Sequence, residues 1–160
     1  MKAKRPPATP RYEALLQVLR TADTLWNSSR RFFARWQLSP SQFNVLNVLS
    51  HKPEGLSQIE LGRLLITHRS NVTGLVDRLE RRGLAQRKDA ALDRRAYRIV
   101  LTTRGRKLLG QILPQYYEAA EKVWDGFPAR RASRLASELQ RLGFNADKLK
   151  QVEKAPRSPA

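Results

Sequence analysis

The 160-residue chain contains no cysteine. That excludes disulfides and thiol chemistry, and it agrees with a reducing cytoplasm, where the protein is expected. Histidine is nearly as scarce. His51 and His68 stand 17 positions apart, so no metal site is expected. No apolar run approaches the ~18 residues of a membrane span. The first ten residues hold three basic groups and three prolines but no apolar stretch of the kind a secretory signal needs. A nucleophile elbow, a phosphate loop and a histidine–carboxylate constellation are missing as well. No catalytic residue, enzyme activity or cofactor is therefore expected. The last shortage is acid: 14 Asp and Glu face 31 Lys and Arg, a formal charge of +17. Such an excess resists compaction and favours polyanions or anionic surfaces as partners. Apolar residues still make up 41% of the chain, enough for one domain with its own core.

What is present is helical periodicity. Residues 1–10 read as a flexible basic arm, because Pro6, Pro7 and Pro10 oppose a regular helix. From Arg11 to Trp36, the series Tyr12, Leu15, Leu19, Ala22, Trp26, Ser29, Phe33 and Trp36 alternates spacings of three and four. That is a heptad-like seam on a helix long enough to suggest a partner helix from another subunit. Ser39-Pro40 pairs an N-cap with a first-turn proline, and Phe43, Leu46 and Leu49 mark the buried face of a second helix ending near His51. Lys52-Pro53-Glu54-Gly55 is a turn. Ser57 then caps a short helix carrying Leu61, Leu64 and Leu65.

The stretch from Thr67 to Arg82 organises the rest. Val72, Leu75, Val76 and Leu79 recur at i, i+3, i+4 and i+7 and define a buried face. Thr67, Ser70, Asn71, Gly74, Asp77, Arg78 and Arg81 fall on the opposite face, short and hydrogen-bonding first, cationic later. Short donors and acceptors suit base edges and phosphates, and a helix fits the major groove of B-form DNA. Gly74 in mid-helix, where glycine costs about 1 kcal/mol relative to alanine, suggests a close approach of the backbone to another surface. Gly83 ends the helix as a C′ residue. Leu84–Asp89 and Ala96–Thr102 then read as two strands, with Tyr97, Ile99 and Leu101 alternating with Ala96, Arg98 and Val100. Their polar tip carries Asp93, Arg94 and Arg95. Planar, permanently charged guanidinium groups suit a narrow minor groove, and Asp93 is placed to fix one by a bidentate pair. Residues 78–107 hold eleven basic and three acidic groups, which favours a polyanion over solvent alone.

Thr102 or Thr103 caps a helix from about Arg104 toward Asp125, with Leu109, Ile112, Tyr116, Ala119 or Ala120 and Val123 in helical spacing and a kink expected at Pro114. Phe127-Pro128 breaks the chain. A last helix follows with Ala132, Leu135, Leu139 and Leu142 on one face and Gly143 near its end. Residues 145–160 are expected to be a largely disordered tail.

This order of elements, together with Ser70-Asn71-Val72-Thr73-Gly74-Leu75-Val76-Asp77-Arg78-Leu79-Glu80, Arg82-Gly83-Leu84 and Asp93-Arg94-Arg95 running on to Leu101-Thr102, closely resembles the multiple-antibiotic-resistance regulator (MarR) family over roughly residues 11–144. The resemblance implies a mainly α fold: a winged helix-turn-helix over 39–102 with a two-stranded wing, flanked by dimerisation helices at 11–36 and 104–144. It implies a homodimeric transcription regulator, usually a repressor, whose recognition helices enter successive major grooves. In the family the position matching Arg95 enters the minor groove and the one matching Asp93 orients an arginine. Small anionic or phenolic effectors often bind between the dimerisation and DNA-binding parts. Two departures stand out. The tip carries Ala90-Ala91-Leu92, where the family often has a shorter or more polar approach to the aspartate. Without cysteine, the oxidation-sensing branch is excluded.

The expected partner is double-stranded DNA, with no membrane partner. Ser70, Asn71, Thr73 and Arg78 are assigned to base-edge and phosphate contacts, and Arg81 to the backbone. Thr67, Arg69, Ser57 and Gln58 are assigned mainly to phosphates. Asn71 is the first candidate base reader, since asparagine pairs bidentately with adenine. For a small aromatic or anionic effector, Trp26, Phe33, Trp36 and Tyr116 are candidates to line an apolar cleft, with Arg30 holding a carboxylate. The rival functions are an architectural, nucleoid-type DNA binder without effector control and a membrane-surface protein.

Overall fold

In the computed structural model two helices begin at proline. In α1 (Pro10–Ala34), Thr9 is the N-cap and accepts from the Tyr12 N–H at 3.3 Å. Pro10 therefore opens the first helix instead of extending the arm: its missing N–H falls where no intrahelical bond is made. The helix stops before Trp36, and Gln37 takes a positive φ of 54° in the turn that follows. α2 (Pro40–Ser50) starts with a reciprocal capping box. The Ser39 N–H donates to Gln42 Oε1 at 2.8 Å, and the Gln42 N–H donates to Ser39 Oγ at 3.2 Å.

The description covers residues 9–66, 72–90 and 93–152; at 90, 93–96 and 150–152 it covers the backbone alone. The chain divides into two compact units, Met1–Ile112 and Leu113–Ala160. After α2 come α3 (Gln58–Leu64), α4 (Val72–Arg81), β1 (Ala85–Ala90), β2 (Asp93–Leu101), α5 (Thr103–Val123) and α6 (Ala129–Val152). The opening of the α4 segment at Thr67 lies outside the described residues.

The core of the first unit joins α1, α2, α3, α4, the hairpin and the first part of α5. Phe33 stacks on Phe43 with ring centroids 4.2 Å apart, and Leu46, Leu49, Leu61, Leu75, Val76, Leu79, Ile99 and Ile112 are buried with them. Each such side chain contributes about 1.5–3 kcal/mol of burial. Leu64, expected among the apolar positions of α3, is instead 51% exposed. α3 is only seven residues long, and Leu61 with Leu65 already fills its inward side.

β1 and β2 are antiparallel, in one register from Ala85↔Leu101 to Asp89↔Tyr97. The register then jumps to Ala90↔Asp93, and residues 94–96 of β2 have no ladder partner among the described residues. The expected strand start at Ala96 is thus too late, since β2 already includes Asp93, Arg94 and Arg95. A second correction concerns the half-buried alternation, in which Val100 shares its set with Ala96 and Arg98. Val100 is buried alongside Ile99 and Leu101. The reason lies in the turn before α3. Leu56 pairs with Ile99 through N–H···O bonds of 3.0 and 2.7 Å, an isolated bridge beside the two-stranded hairpin. Gly55 lies so close that a Cβ there would meet Val100 Cγ1 at 2.6 Å, and its φ of +77° suits glycine as well.

α4 ends at Gly83 (φ +64°). The Gly83 N–H reaches Glu80 O at 2.8 Å and the Leu84 N–H reaches Leu79 O at 2.9 Å, closing the last turn on itself. Thr102 joins this corner to α5. Its hydroxyl donates to Gly83 O at 2.7 Å and accepts from the Gly105 N–H at 3.0 Å. α5 runs through Pro114 as one helix. In the second unit α6 continues to Val152, so residues 145–152 are helical where a disordered tail was expected. Gly143 is not a stop because Ala146, Lys148, Leu149, Lys150 and Gln151 are good helix formers and no proline intervenes. Residues 153–160, like the arm at 1–8, lie outside the described residues. No helix among the described residues is long and apolar enough to cross a membrane.

Candidate nucleic-acid interface

α3 and α4 form the helix-turn-helix. Ser57 and Glu60 make a capping box at the start of α3: the Ser57 N–H donates to Glu60 Oε2 at 2.7 Å, and the Glu60 N–H donates to Ser57 Oγ at 3.2 Å. The Ser57 backbone N–H, then its hydroxyl, hold the Glu60 carboxyl below the ordinary carboxylate range, with Arg98 and Arg63 adding to the effect. Ser57 thus orders the helix start, and only the rest of its hydrogen-bonding capacity is left for a phosphate. Gln58, also assigned to phosphates, is bridged within the chain. Its amide nitrogen donates to Thr73 Oγ1 of α4, and its oxygen accepts from the Tyr97 hydroxyl of β2 at 3.0 Å. It ties three elements of the interface together. Beside it, Ile59, Gly62, Arg63 and Val72 join Gln58 and Tyr97 around a cavity of ≈460 Å³.

On α4 the wheel assignment holds for what is described. Val72, Leu75, Val76 and Leu79 are buried, Thr73, Arg78 and Arg81 are exposed, and Gly74 and Asp77 lie between. Asp77 is not a free member of the outer face. Arg87 of β1 reaches it with Nη2 at 2.6 Å, bonds Glu80 with Nη1, and adds a backbone N–H to Glu80 Oε1 at 2.8 Å. The same guanidinium lies 5.4 Å from the Tyr97 ring centroid. Burial opposes its charge, but the Asp77 hydrogen bond and the Glu80 charge outweigh that, so its pKa is raised above the ordinary arginine value. Arg98 performs a similar service for the 52–55 turn, donating to Glu54 O at 3.0 Å and Gly55 O at 2.7 Å. Arg82 donates to Gln37 O at 2.5 Å and Trp36 O at 3.0 Å, tying the end of α4 to the α1–α2 joint.

Sequence reasoning passed over Arg87, Glu80, Tyr97, Arg98 and Arg82. A signal existed for the first two. Asp77 and Glu80, three apart on one helix in a strongly basic stretch, mark a place where a cation is held. Thr67, Arg69, Ser70 and Asn71 lie outside the described residues. Asp93, Arg94 and Arg95 are placed on β2 by their backbone; their side chains lie outside the description. Of the effector candidates, Trp26 and Arg30 lie on the exposed side of α1, Trp36 is half-buried, and Phe33 belongs to the core. Tyr116 belongs to the other unit.

The model of the MarR family matches residues 36–96, the span from the α1–α2 joint into β2. The transcriptional regulator PapX of Escherichia coli is 31% identical over 121 residues, covering 74% of this chain and 74% of that protein. The chain belongs to the MarR family. The MarR fold extends beyond the matched segment, as solved structures show. CouR from Rhodococcus jostii RHA1, bound to p-coumaroyl-CoA, has a TM-score of 0.72 at 25% identity over 80% of this chain and 90% of that one. CouR bound to a 23-mer DNA duplex gives 0.70 at 27% identity over 84% and 92%. The repressor MprA of Escherichia coli K12 is 25% identical over 107 residues, and this chain spans 61% of its length. The MarR-family winged helix here is built from α2, α3, α4 and the β1–β2 wing.

Proposed function

We propose that this MarR-family chain is a cytoplasmic repressor that binds a pseudo-palindromic operator as a homodimer and is released by a small aromatic or anionic effector. The observation that carries the proposal is the pairing of an exposed, arginine-bearing face on α4 with a wing fixed to the same helix through Arg87. A rigid joint lets one protomer address the major and minor grooves in a set geometry. Asn71, Ser70, Thr73 and Arg78 are proposed for direct contacts on that face, with Gly74 at the closest approach. Arg81, Thr67, Arg69 and Ser57 are proposed for the backbone, and Arg94 and Arg95 for the minor groove, with Asp93 orienting an arginine. Dimerisation accounts for two apolar stripes that stay exposed, Tyr12, Leu15, Leu19 and Trp26 on α1 and Leu135, Leu139 and Leu142 on α6. The recognition helices of the dimer then lie ~34 Å apart, one helical turn. Effector binding is supported by the p-coumaroyl-CoA complex of CouR, and Trp26, Arg30, Phe33, Trp36 and Tyr116 are the residues proposed around an effector.

Selection of bound sites from random DNA tests the proposal. A palindrome with fixed half-site spacing is the expected result. The +17 charge favours one alternative, sequence-independent architectural binding. Equal affinity for selected and random duplexes at one salt concentration would establish that alternative in place of the operator.

A further inference from the structure

At the C-terminal end of α4, Arg78, Arg81 and Arg82 face Gln37 and Gln42 around a cup of ≈280 Å³. We propose that this cup is a phosphate-binding site that shares Arg78 with the contacts proposed above but leaves out the base reader Asn71. It rests on the proposed function only in taking α4 as the recognition helix.

Every charged group on the cup's wall is a guanidinium. Helices normally neutralise such residues with acids one turn away, and Asp77 stands four residues before Arg81. Here Asp77 and Glu80 are both drawn to Arg87 on the neighbouring strand. Among the described residues Arg78 and Arg81 have no acidic partner. The wall is also held in place: Arg82 is anchored on the Trp36 and Gln37 carbonyls. Gln42 supplies the second observation. It is 8% exposed yet lines the cup, and its side-chain oxygen is taken by the Ser39 N–H. Its amide nitrogen makes no hydrogen bond among the described residues and, unlike the buried Asn47 Oδ1, is open to solvent at the cup, a donor left for a ligand. Compensation of the helix macrodipole accounts for basic side chains on the last turn, but it gives no reason for an open amide donor on the facing helix.

The Arg78 and Arg81 forks and the Gln42 amide, with the Arg82 charge beside them, line one cup and match the many acceptor oxygens of a phosphate better than the two of a carboxylate. The phosphate has two sources, a DNA backbone group or a free phosphorylated small molecule. In both cases the ligand contacts the helix and the α1–α2 joint together, so occupancy bears on how α4 is held.

The test uses the full chain without DNA, titrated with inorganic phosphate at constant ionic strength by calorimetry. Saturable binding is expected, weakened about tenfold by Arg81→Gln, which removes a charge-assisted bond. Gln42→Glu is the decisive variant. It keeps the capping oxygen for Ser39 but replaces the donor with negative charge, so it should lose phosphate binding with an unchanged melting profile. Equal affinity in all three proteins, or uptake that never saturates, would overturn the site. Duplexes carrying single methylphosphonates then identify the source. If one neutral linkage erases the difference between wild type and Gln42→Glu on DNA, the ligand is a backbone phosphate. If none does and free phosphate competes with DNA on wild type alone, it is a small molecule. Indifference to DNA sequence would count against the operator proposal and leave the phosphate result standing.

Discussion

Arg87 Nη2 stands 2.6 Å from Asp77 Oδ1, while the other terminal nitrogen of the same guanidinium bonds Glu80. Strand β1 and helix α4 therefore share one ionic knot, with the Tyr97 ring as its neighbour. Replacing Arg87 leaves two carboxylates facing each other across a half-buried joint. Arg87→Met is expected to lower stability by about 1–3 kcal/mol in urea unfolding, the range for losing bonds to charged groups. Because the groups act together, Arg87→Met with Asp77→Asn should lose less than the sum of the single changes. Strict additivity would mean that the knot is only a surface pair.

Gly105 sits at the second tight point of the same unit. A Cβ there would lie 2.0 Å from Leu84 O and 2.9 Å from Leu101 Cδ1. The carbonyl belongs to the corner that Thr102 ties down, so it cannot withdraw without breaking that corner. Gly105→Ala should cost about 3 kcal/mol, the upper range for overpacking. Gly110, on the same helix with nothing within 4 Å of a built Cβ, provides the control. Gly110→Ala should stabilise by about 0.5–1 kcal/mol. Matching losses at both sites in thermal unfolding would remove the steric argument.

The local signals in the sequence were the readable ones. Ser39-Pro40, the Ser57 cap and Gly83 each act within one turn of chain, and each marks a helix end where it was expected. The buried stripe of α4 was readable because four residues repeat a single period. Pairings between distant segments left no such mark. Leu56 joins Ile99 through one residue, too short for any alternation, and this is why Val100 is buried against the pattern. Gln58 is polar and exposed by type, and nothing in its neighbours announces Thr73 and Tyr97 as partners. Gly143 illustrates the reverse error: a glycine stops a helix only when the residues after it cannot continue, and here they can.

The Glu60 carboxyl gives a pH-dependent contribution whose sign follows from its bonds. Its pKa is depressed by the Ser57 backbone N–H first and the Ser57 hydroxyl second. A group with a lowered folded pKa contributes stability above its unfolded value, and that contribution is lost as pH falls through the folded value. Glu60→Gln should therefore unfold at lower urea than wild type near neutrality. The two midpoints should converge once the pH drops below the ordinary carboxylate range. Midpoints that stay equally separated at acid pH would show that the charge of Glu60 plays no part in capping α3.

Reading bases and gripping the backbone leave different traces in DNA binding, which separates Asn71 from Arg95. A bidentate asparagine–adenine contact contributes about 1–3 kcal/mol of discrimination and releases no counterion. Asn71→Ala is expected to weaken the selected operator by that amount while sparing random duplexes, with the salt dependence unchanged. Arg95 carries a charge on the strand that forms the wing, and each phosphate neutralised adds about 0.9 to the slope of log K against log salt. Arg95→Ala should lower affinity for all duplexes and flatten that slope by about one per protomer. Equilibrium titrations of both variants at several salt concentrations decide the matter. An Asn71→Ala loss shared equally by operator and random DNA would move Asn71 to the backbone group. An unchanged slope for Arg95→Ala would leave the wing in solvent and the minor groove unread.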